Sequence, residues 1–177
     1  MRKSLWIIVA FTVCTVLTGT LSVAQDLDGS TVTGTLYNPD LSTILGGPTT
    51  ATVGASTPTF PNGSILGDTA FQINITSDQL IYDPLANVTY GTGTFNGFVF
   101  DFSNAPTIVG VTVDSGSSFA PTGVSFSADS ISLNLSGDTV TTSSTLILDI
   151  SSTPEPATSG LMLTGIGLLG LLLMRRR

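Results

Sequence analysis

The segment Ser130–Ser136 alternates strictly between polar and apolar residues, and this pattern constrains the fold more than any other in the chain. Its sequence, SISLNLS, places Ile131, Leu133 and Leu135 on one side of an extended chain and the polar residues on the other. A helix would spread these three apolar side chains around its circumference. The segment therefore predicts a β-strand that has one face in a hydrophobic core.

Segments of the same kind recur through the middle of the chain and are separated by Gly, Pro, Asn and Asp. Leu41–Pro61, in contrast, is predicted to be a loop with short extended pieces, because Pro48 and Pro58 argue against central strands. We expect strands at Thr31–Tyr37, Phe71–Thr76, Phe98–Phe102, Thr107–Val113, Val124–Ser127, Ser130–Ser136, Thr139–Thr142 and Thr145–Ile150.

No segment of the middle shows sustained helical periodicity. Short strands that recur with turn residues between them predict an all-β domain, an antiparallel β-sandwich of the immunoglobulin-like or jelly-roll type. The alternatives are a β-solenoid and a partly disordered Ser/Thr-rich chain. The absence of a fixed repeat length argues against the solenoid, and the alternation together with nine phenylalanines argues against disorder.

Charge is distributed unevenly along the chain. Between Ala24 and Pro154 there are eleven aspartates and no Lys, Arg, His or Glu. This excludes nucleic acid as a partner, because binding to phosphates needs cationic side chains. It also excludes catalytic triads, Cys-His pairs, Schiff-base lysines and histidine-ligated zinc. We therefore predict that the protein is not an enzyme and that it has no catalytic residues.

The N-terminal residues 1–24 have the features of a secretory signal peptide. Arg2 and Lys3 precede an apolar helical region, and small residues before Gln25 predict cleavage by signal peptidase between Ala24 and Gln25. An uncleaved anchor helix is the alternative. Cys14 is the only cysteine, so the mature domain at residues 25–153 would have no disulfide.

One short motif suggests catalysis. Val111-Thr112-Val113-Asp114-Ser115-Gly116 resembles the active-site loop of aspartic proteases, in which two such aspartates share a proton. A chain of this length would have to dimerise to supply the second aspartate. The competing interpretation is a strand that ends in a Gly/Ser turn, and a small aspartic protease around Asp114 is therefore the least favoured hypothesis.

Two binding functions are also open. The run Asp26-Leu27-Asp28-Gly29 begins like a calcium loop but lacks the later ligands, and Asp101, Asp114, Asp129 and Asp138 are predicted at strand edges or turns. We predict no dedicated metal site or cofactor, although Ca²⁺ remains open. A glycan-binding surface would have to use Asp, Asn and three tyrosines, Tyr37, Tyr82 and Tyr90, since the mature chain has no Trp.

The C-terminus has the features of a membrane anchor. Residues 157–174 form an uncharged run of 18 residues, which as a helix would span about 27 Å and cross a thin bilayer. Arg175, Arg176 and Arg177 would then stop transfer on the cytoplasmic side. Together with the signal peptide this predicts a single-pass inner-membrane precursor with its N-terminus outside.

Pro154, Glu155 and Pro156 precede this helix. The two prolines each lack an N–H group, so neither a strand nor a helix continues through them. The order Pro-Glu-Pro-Ala-Thr, a short Gly/Leu-rich helix and terminal arginines resembles the PEP-CTERM protein-sorting domain of Gram-negative bacteria, here at residues 154–177. The resemblance implies recognition at Pro154, Glu155 and Pro156 by exosortase, a membrane enzyme resembling cysteine transpeptidases.

The same resemblance implies cleavage near the triplet, followed by release or attachment at the cell surface, in a host that makes exopolysaccharide and a biofilm matrix. We therefore expect an exported, non-enzymatic protein of the cell surface or of the matrix. Its partners would be signal peptidase, exosortase and the membrane, and exopolysaccharide is a further candidate. A Ca²⁺- or glycan-binding surface module is the alternative.

Overall fold

The computed structural model describes residues 26–61, 63–65 and 70–153. Within these ranges all the regular secondary structure is β-strand, and the described chain is therefore all-β. The strands are β1 (Thr31–Tyr37), β2 (Ile44–Thr52), β3 (Phe71–Ile75), β4 (Gln79–Pro84), β5 (Val88–Thr89), β6 (Gly97–Ser103), β7 (Ile108–Val113), β8 (Gly123–Phe126), β9 (Ser130–Asn134), β10 (Thr139–Val140) and β11 (Leu146–Ser152).

The strands form two main sheets and one short ribbon. The five-stranded sheet has the order β2-β1-β6-β9-β8, the four-stranded sheet has the order β3-β4-β11-β7, and β10 pairs with β5. All these pairings are antiparallel, as the sequence predicts. The last strand in the sequence, β11, therefore lies inside its sheet, between β4 and the edge strand β7.

The alternating segments form the core. Ile131, Leu133 and Leu135 are fully buried, which confirms that this segment has one face inside, although strand β9 ends at Asn134, two residues before the predicted end at Ser136. Aromatic rings of the two sheets also contact each other. The ring centroids of Phe71, on β3, and Phe98, on β6, lie 4.8 Å apart in an edge-to-face arrangement. The two sheets thus share one hydrophobic core.

The interpretation of Leu41–Pro61 as a loop was wrong for its first half, where β2 occupies Ile44–Thr52. Pro48 is tolerated there because β2 is an edge strand, and an edge strand can lack a hydrogen-bond donor on its free side. Gly47 allows β2 to approach β1 closely: a Cβ atom on it would lie 2.7 Å from the Gly34 carbonyl oxygen.

Strand β4 was not predicted. Its apolar residues Leu80, Ile81 and Tyr82 are consecutive, which hides the alternation that the structure reveals: Leu80 and Tyr82 are buried and Ile81 points away from the core. The final strand was predicted to end at Ile150, but it continues to Ser152. This extension matters because Ser152 is close in sequence to the predicted sorting triplet.

Candidate functional site

The end of β11 is where the described domain meets the predicted sorting segment. On one side β11 pairs with β4, and this pairing stops at Asp149. On the other side it pairs with β7 as far as Ser152, which lies opposite Ile108. The N–H group of Thr153 then donates a 2.9 Å hydrogen bond to the carbonyl oxygen of Thr107. The chain is therefore held at the residue directly before the triplet.

The pairing of β11 with β7 contains a bulge near its end. Ser151 lies opposite Gly110 and Ser152 lies opposite Ile108, so that Val109 has no partner on β11. Ser151 and Thr153 are exposed, whereas the preceding residue, Ile150, is buried. The last three described residues thus contribute backbone pairing but little apolar burial to the domain.

The chain enters the domain next to the place where it leaves. The N–H group of Leu27 donates a 2.9 Å hydrogen bond to the carbonyl oxygen of Ser77, and the N–H group of Ile150 donates a 2.7 Å bond to that of Asp78. Ser77 and Asp78 form the turn between β3 and β4. One hairpin turn therefore binds both the first and the last strongly buried residue of the part of the chain that the structure describes.

The residues predicted for sorting and export lie outside the described ranges. These are the triplet Pro154, Glu155 and Pro156, the arginines Arg175, Arg176 and Arg177, and the signal-cleavage pair Ala24 and Gln25. The signal helix within residues 1–24 and the helix predicted at residues 157–174 lie outside them too. In the part of the chain that the structure describes, no helix has the length and apolarity needed to cross a membrane.

Asp114 supports its own turn. Its Oδ1 atom accepts a 2.6 Å hydrogen bond from the Gly116 N–H group, and its carbonyl oxygen accepts one from the Ser117 N–H group. The Ser117 hydroxyl in turn bonds to the backbone of Ile147 on β11. The Asp-Ser-Gly sequence is therefore explained by a turn that fastens the end of β7 to β11.

Asp138, another candidate calcium ligand, is engaged within the domain. Asp138 accepts hydrogen bonds from the N–H group and the hydroxyl group of Thr122, each at 2.9 Å. Asp101 and Asp129 do approach each other: partial desolvation of the Asp101 carboxyl, although the residue is exposed, and then the negative charge of Asp129 raise its pKa. Within the described ranges no three carboxylates, histidines or cysteines converge on a common point. Calcium binding stays an untested alternative to the prediction of no cofactor.

Two of the three tyrosines belong to the core. Tyr82 is fully buried and Tyr90 nearly so, and their hydroxyl oxygens lie 2.7 Å apart. Neither ring can serve as an exposed sugar platform, so this part of the glycan interpretation was wrong. Tyr37 is half-buried, and its ring packs edge-to-face against Phe95 with centroids 6.4 Å apart.

A depression of about 190 Å³ lies beside Tyr90. Its described lining is uncharged, and includes Leu45 and Phe71 together with the polar side chains of Thr89 and Asn96. The Asn96 side chain is already used within the domain, because its Nδ2 atom donates a 2.9 Å hydrogen bond to the Gly91 carbonyl oxygen. The depression was not predicted, since its lining comes from segments far apart in sequence.

Comparison with protein-family models identifies the C-terminal segment. Residues 152–177 match the PEP-CTERM protein-sorting motif, which confirms the resemblance found in the sequence. The motif indicates an exported protein of the cell surface that exosortase processes. The match begins at Ser152, the last residue of β11. Comparisons with the curated proteins and with the solved structures give no match.

Proposed function

We propose that this chain is a non-enzymatic protein of the cell surface or of a biofilm and exopolysaccharide matrix, delivered by exosortase processing at Pro154-Glu155-Pro156. The observation that carries the proposal is the sorting motif at residues 152–177, which adjoins the last strand of a folded all-β domain. The absence of Lys, Arg, His, Cys and Glu from residues 25–153 supports a non-catalytic role, because few groups remain that could act as acid, base or nucleophile.

The proposed precursor is held at the inner membrane before processing. Signal peptidase removes residues 1–24 by cutting between Ala24 and Gln25, and the helix at residues 157–174 with Arg175–Arg177 keeps the C-terminus inside. The uncharged composition of that helix and the arginines after it support this topology.

Processing then breaks a peptide bond near the triplet. The acyl group passes to the enzyme's thiol and afterwards to water or to a nucleophile at the surface, while the helix segment leaves with the new amino group. All the described strands lie before Pro154, so cleavage there leaves the domain with its complete sheets.

We further propose that the two sheets form a β-sandwich with immunoglobulin-like or jelly-roll connections. Two antiparallel sheets whose aromatic side chains meet in one core support this architecture. Such a domain has no need of disulfides if its core is well packed, which suits a mature chain without cysteine.

The deciding experiment is an intact-mass measurement on the protein from its host, in strains with and without exosortase. We expect the wild-type surface fraction to contain a chain that begins at Gln25 and lacks the terminal arginines. In the strain without exosortase the arginines should remain. Finding Arg175–Arg177 on the surface-exposed wild-type protein would contradict the proposal.

Binding of a neutral glycan at the depression beside Tyr90 is a second candidate function. The depression offers apolar walls with the polar side chains of Thr89 and Asn96, and its described lining carries no charge. Titration of the exported domain with the host's exopolysaccharide should perturb residues around Tyr90. A loss of binding in Thr89→Leu, with binding intact in Thr50→Leu on the exposed part of β2, would support it, and binding unchanged in both would oppose it.

A further inference from the structure

The sorting triplet follows the folded domain without a spacer. Ser151 and Ser152 are paired with β7, Thr153 is bonded to Thr107, and Pro154 is the next residue in the sequence. An enzyme that cuts near the triplet therefore meets a substrate whose upstream residues already belong to a sheet.

Enzymes that process peptides bind an extended substrate strand through its backbone N–H and C=O groups, for several residues around the bond that is cut. The Thr153 N–H group is occupied by Thr107, and the edge of the strand that carries this group faces β7, where Ser151 lies opposite Gly110. The same backbone groups cannot bond to β7 and to an enzyme at once. The upstream residues must leave β7 before they can enter the enzyme's groove.

The structure divides β11 into a firmly held part and a weakly held end. Up to Asp149 the strand pairs on both sides, and Ile150 adds a buried side chain and a bond to Asp78. Beyond Ile150 the strand no longer pairs with β4, and its pairing with β7 continues across a bulge. Ser151 and Thr153 are exposed and Ser152 is half-buried, so this end can separate without carrying an apolar side chain of its own out of the core.

We infer that exosortase acts on a minor form of the precursor in which Ser151–Thr153 has separated from β7, and that this pairing limits the rate of processing. The inference rests on the proposed function. When only a fraction of the substrate molecules is in the form that the enzyme can bind, the rate of processing is reduced in proportion to that fraction. The domain itself thus sets how readily its sorting signal is used.

The geometry offers a direct way to lock the pairing. A Cβ atom on Gly110 would lie 3.6 Å from the Cβ atom of Ser151, within the range of about 3.5–4.5 Å that disulfides require. The mature chain has no other cysteine, because Cys14 lies in the predicted signal peptide. The double variant Gly110→Cys/Ser151→Cys, oxidised, would hold the end of β11 on β7, and a reductant would free it.

A second pair of variants loosens the pairing instead. Thr153→Pro removes the N–H donor to Thr107, whereas Thr153→Ala keeps that donor and removes the side chain with its long, 3.5 Å hydroxyl contact to Thr107. Because the lost bond is a single exposed backbone hydrogen bond, we expect Thr153→Pro to be processed about fivefold faster than wild type. Thr153→Ala should be processed at the wild-type rate.

The test is a time course of processing of the full-length precursor in membranes that contain exosortase, followed by mass spectrometry. The oxidised double cysteine variant should be processed more than about tenfold more slowly than wild type, and reductant should restore its rate. Ser151→Cys under the same conditions controls for oxidation of the enzyme, and circular dichroism checks that each variant is folded. Equal rates for wild type and the oxidised variant would overturn the inference but leave the sorting function standing. No processing of wild type would instead overturn the sorting function.

Discussion

The hydroxyl oxygens of Tyr82 and Tyr90 lie 2.7 Å apart inside the hydrophobic core, and each is the other's hydrogen-bond partner. Tyr82 is on β4 of the four-stranded sheet, and Tyr90 follows the short strand β5. A buried hydroxyl without a partner is costly, whereas two that satisfy each other are not. The pair therefore fastens the β5 segment to the core.

The two single substitutions at this pair should together cost more stability than the double substitution does. Tyr82→Phe leaves the Tyr90 hydroxyl buried without its partner, and we expect it to lower the free energy of unfolding by about 1–3 kcal/mol. Tyr82→Phe/Tyr90→Phe removes both groups, so its cost should be clearly smaller than the sum of the two single costs. Urea denaturation of the four proteins gives the coupling energy, and strictly additive costs would mean that the hydroxyls do not interact.

The same pair predicts a loss of stability in alkali. Burial raises the pKa of Tyr82 to about 12, against the opposing effect of its bond to Tyr90, and burial together with Tyr82 raises the pKa of Tyr90 well above its usual range. Both folded-state values exceed the ordinary value of 10.0. The stability from the protonated pair is therefore complete below pH 10 and is lost as the pH rises towards about 12.

Denaturation experiments between pH 9 and pH 12 measure this effect. The free energy of unfolding of the wild-type protein should fall over this interval, and the tyrosinate absorbance that wild type shows beyond that of the double variant should appear together with unfolding. Tyr82→Phe/Tyr90→Phe serves as the control, because it lacks both ionisable groups and should show a weaker fall. An equal fall in both proteins would assign the alkaline transition to other groups.

Two aspartates should respond to charge removal in opposite directions. Burial and the charge of Asp129 raise the pKa of Asp101, while hydrogen bonds from Ser42 lower the pKa of Asp40. A raised carboxyl pKa means that the charged form destabilises the fold, so the free energy of unfolding falls as the pH rises through that pKa. A lowered carboxyl pKa means that the charged form stabilises the fold, so the free energy of unfolding falls as the pH falls through that pKa. Asp101→Asn should therefore stabilise the domain at pH 7, and Asp40→Asn should weaken it.

Thermal unfolding at pH 7 and at pH 3 separates these effects from changes in packing. Both differences should shrink at pH 3, where the carboxyls are largely protonated in the unfolded chain. A melting temperature of Asp101→Asn below that of wild type at pH 7 would show that the cost of burying this charge beside Asp129 does not dominate the stability at this position.

Leu27 should be essential to stability although it is close to the predicted signal cleavage. Its side chain is fully buried, and its N–H group is bonded to Ser77. We expect Leu27→Ala to cost about 2–5 kcal/mol, as truncation of a buried leucine does. Leu41→Ala is a matched control, since Leu41 is 57% exposed, and it should change the free energy of unfolding by less than about 0.5 kcal/mol. Equal values from urea denaturation would contradict the burial of Leu27.

Much of the fold could be predicted wherever the alternation was clean, as at Phe98, Phe100 and Phe102, all of which are buried. Phe126 lies opposite the buried Ile131 as the alternation requires, yet it is 45% exposed. Its strand β8 is at a sheet edge, and a local pattern carries no information about strand order.

The sorting signal could be predicted because the residues that identify it are consecutive in the sequence. The hydrogen bond between Thr107 and Thr153 could not be predicted, because it depends on the register of β7 against β11, which are far apart in the sequence. The sequence predicts a strand that begins at Thr107, but it predicts that the last strand ends at Ile150. Nothing local distinguishes Ser151 and Ser152 from the polar residues of an exposed loop.

The division of β11 also predicts where a truncated chain stops folding. A chain of residues 25–153 keeps every described strand, so its melting temperature should equal that of the exosortase-processed protein. A chain of residues 25–149 loses the buried side chain of Ile150 and its bond to Asp78, together with most of the pairing that holds β7. Loss of that side chain alone would cost about 2–5 kcal/mol, a large part of a domain's stability. Circular dichroism melting of the two chains measures the difference. If residues 25–149 melted like residues 25–153, the end of β11 would be dispensable, and cleavage upstream of Ser151 would be compatible with a folded product.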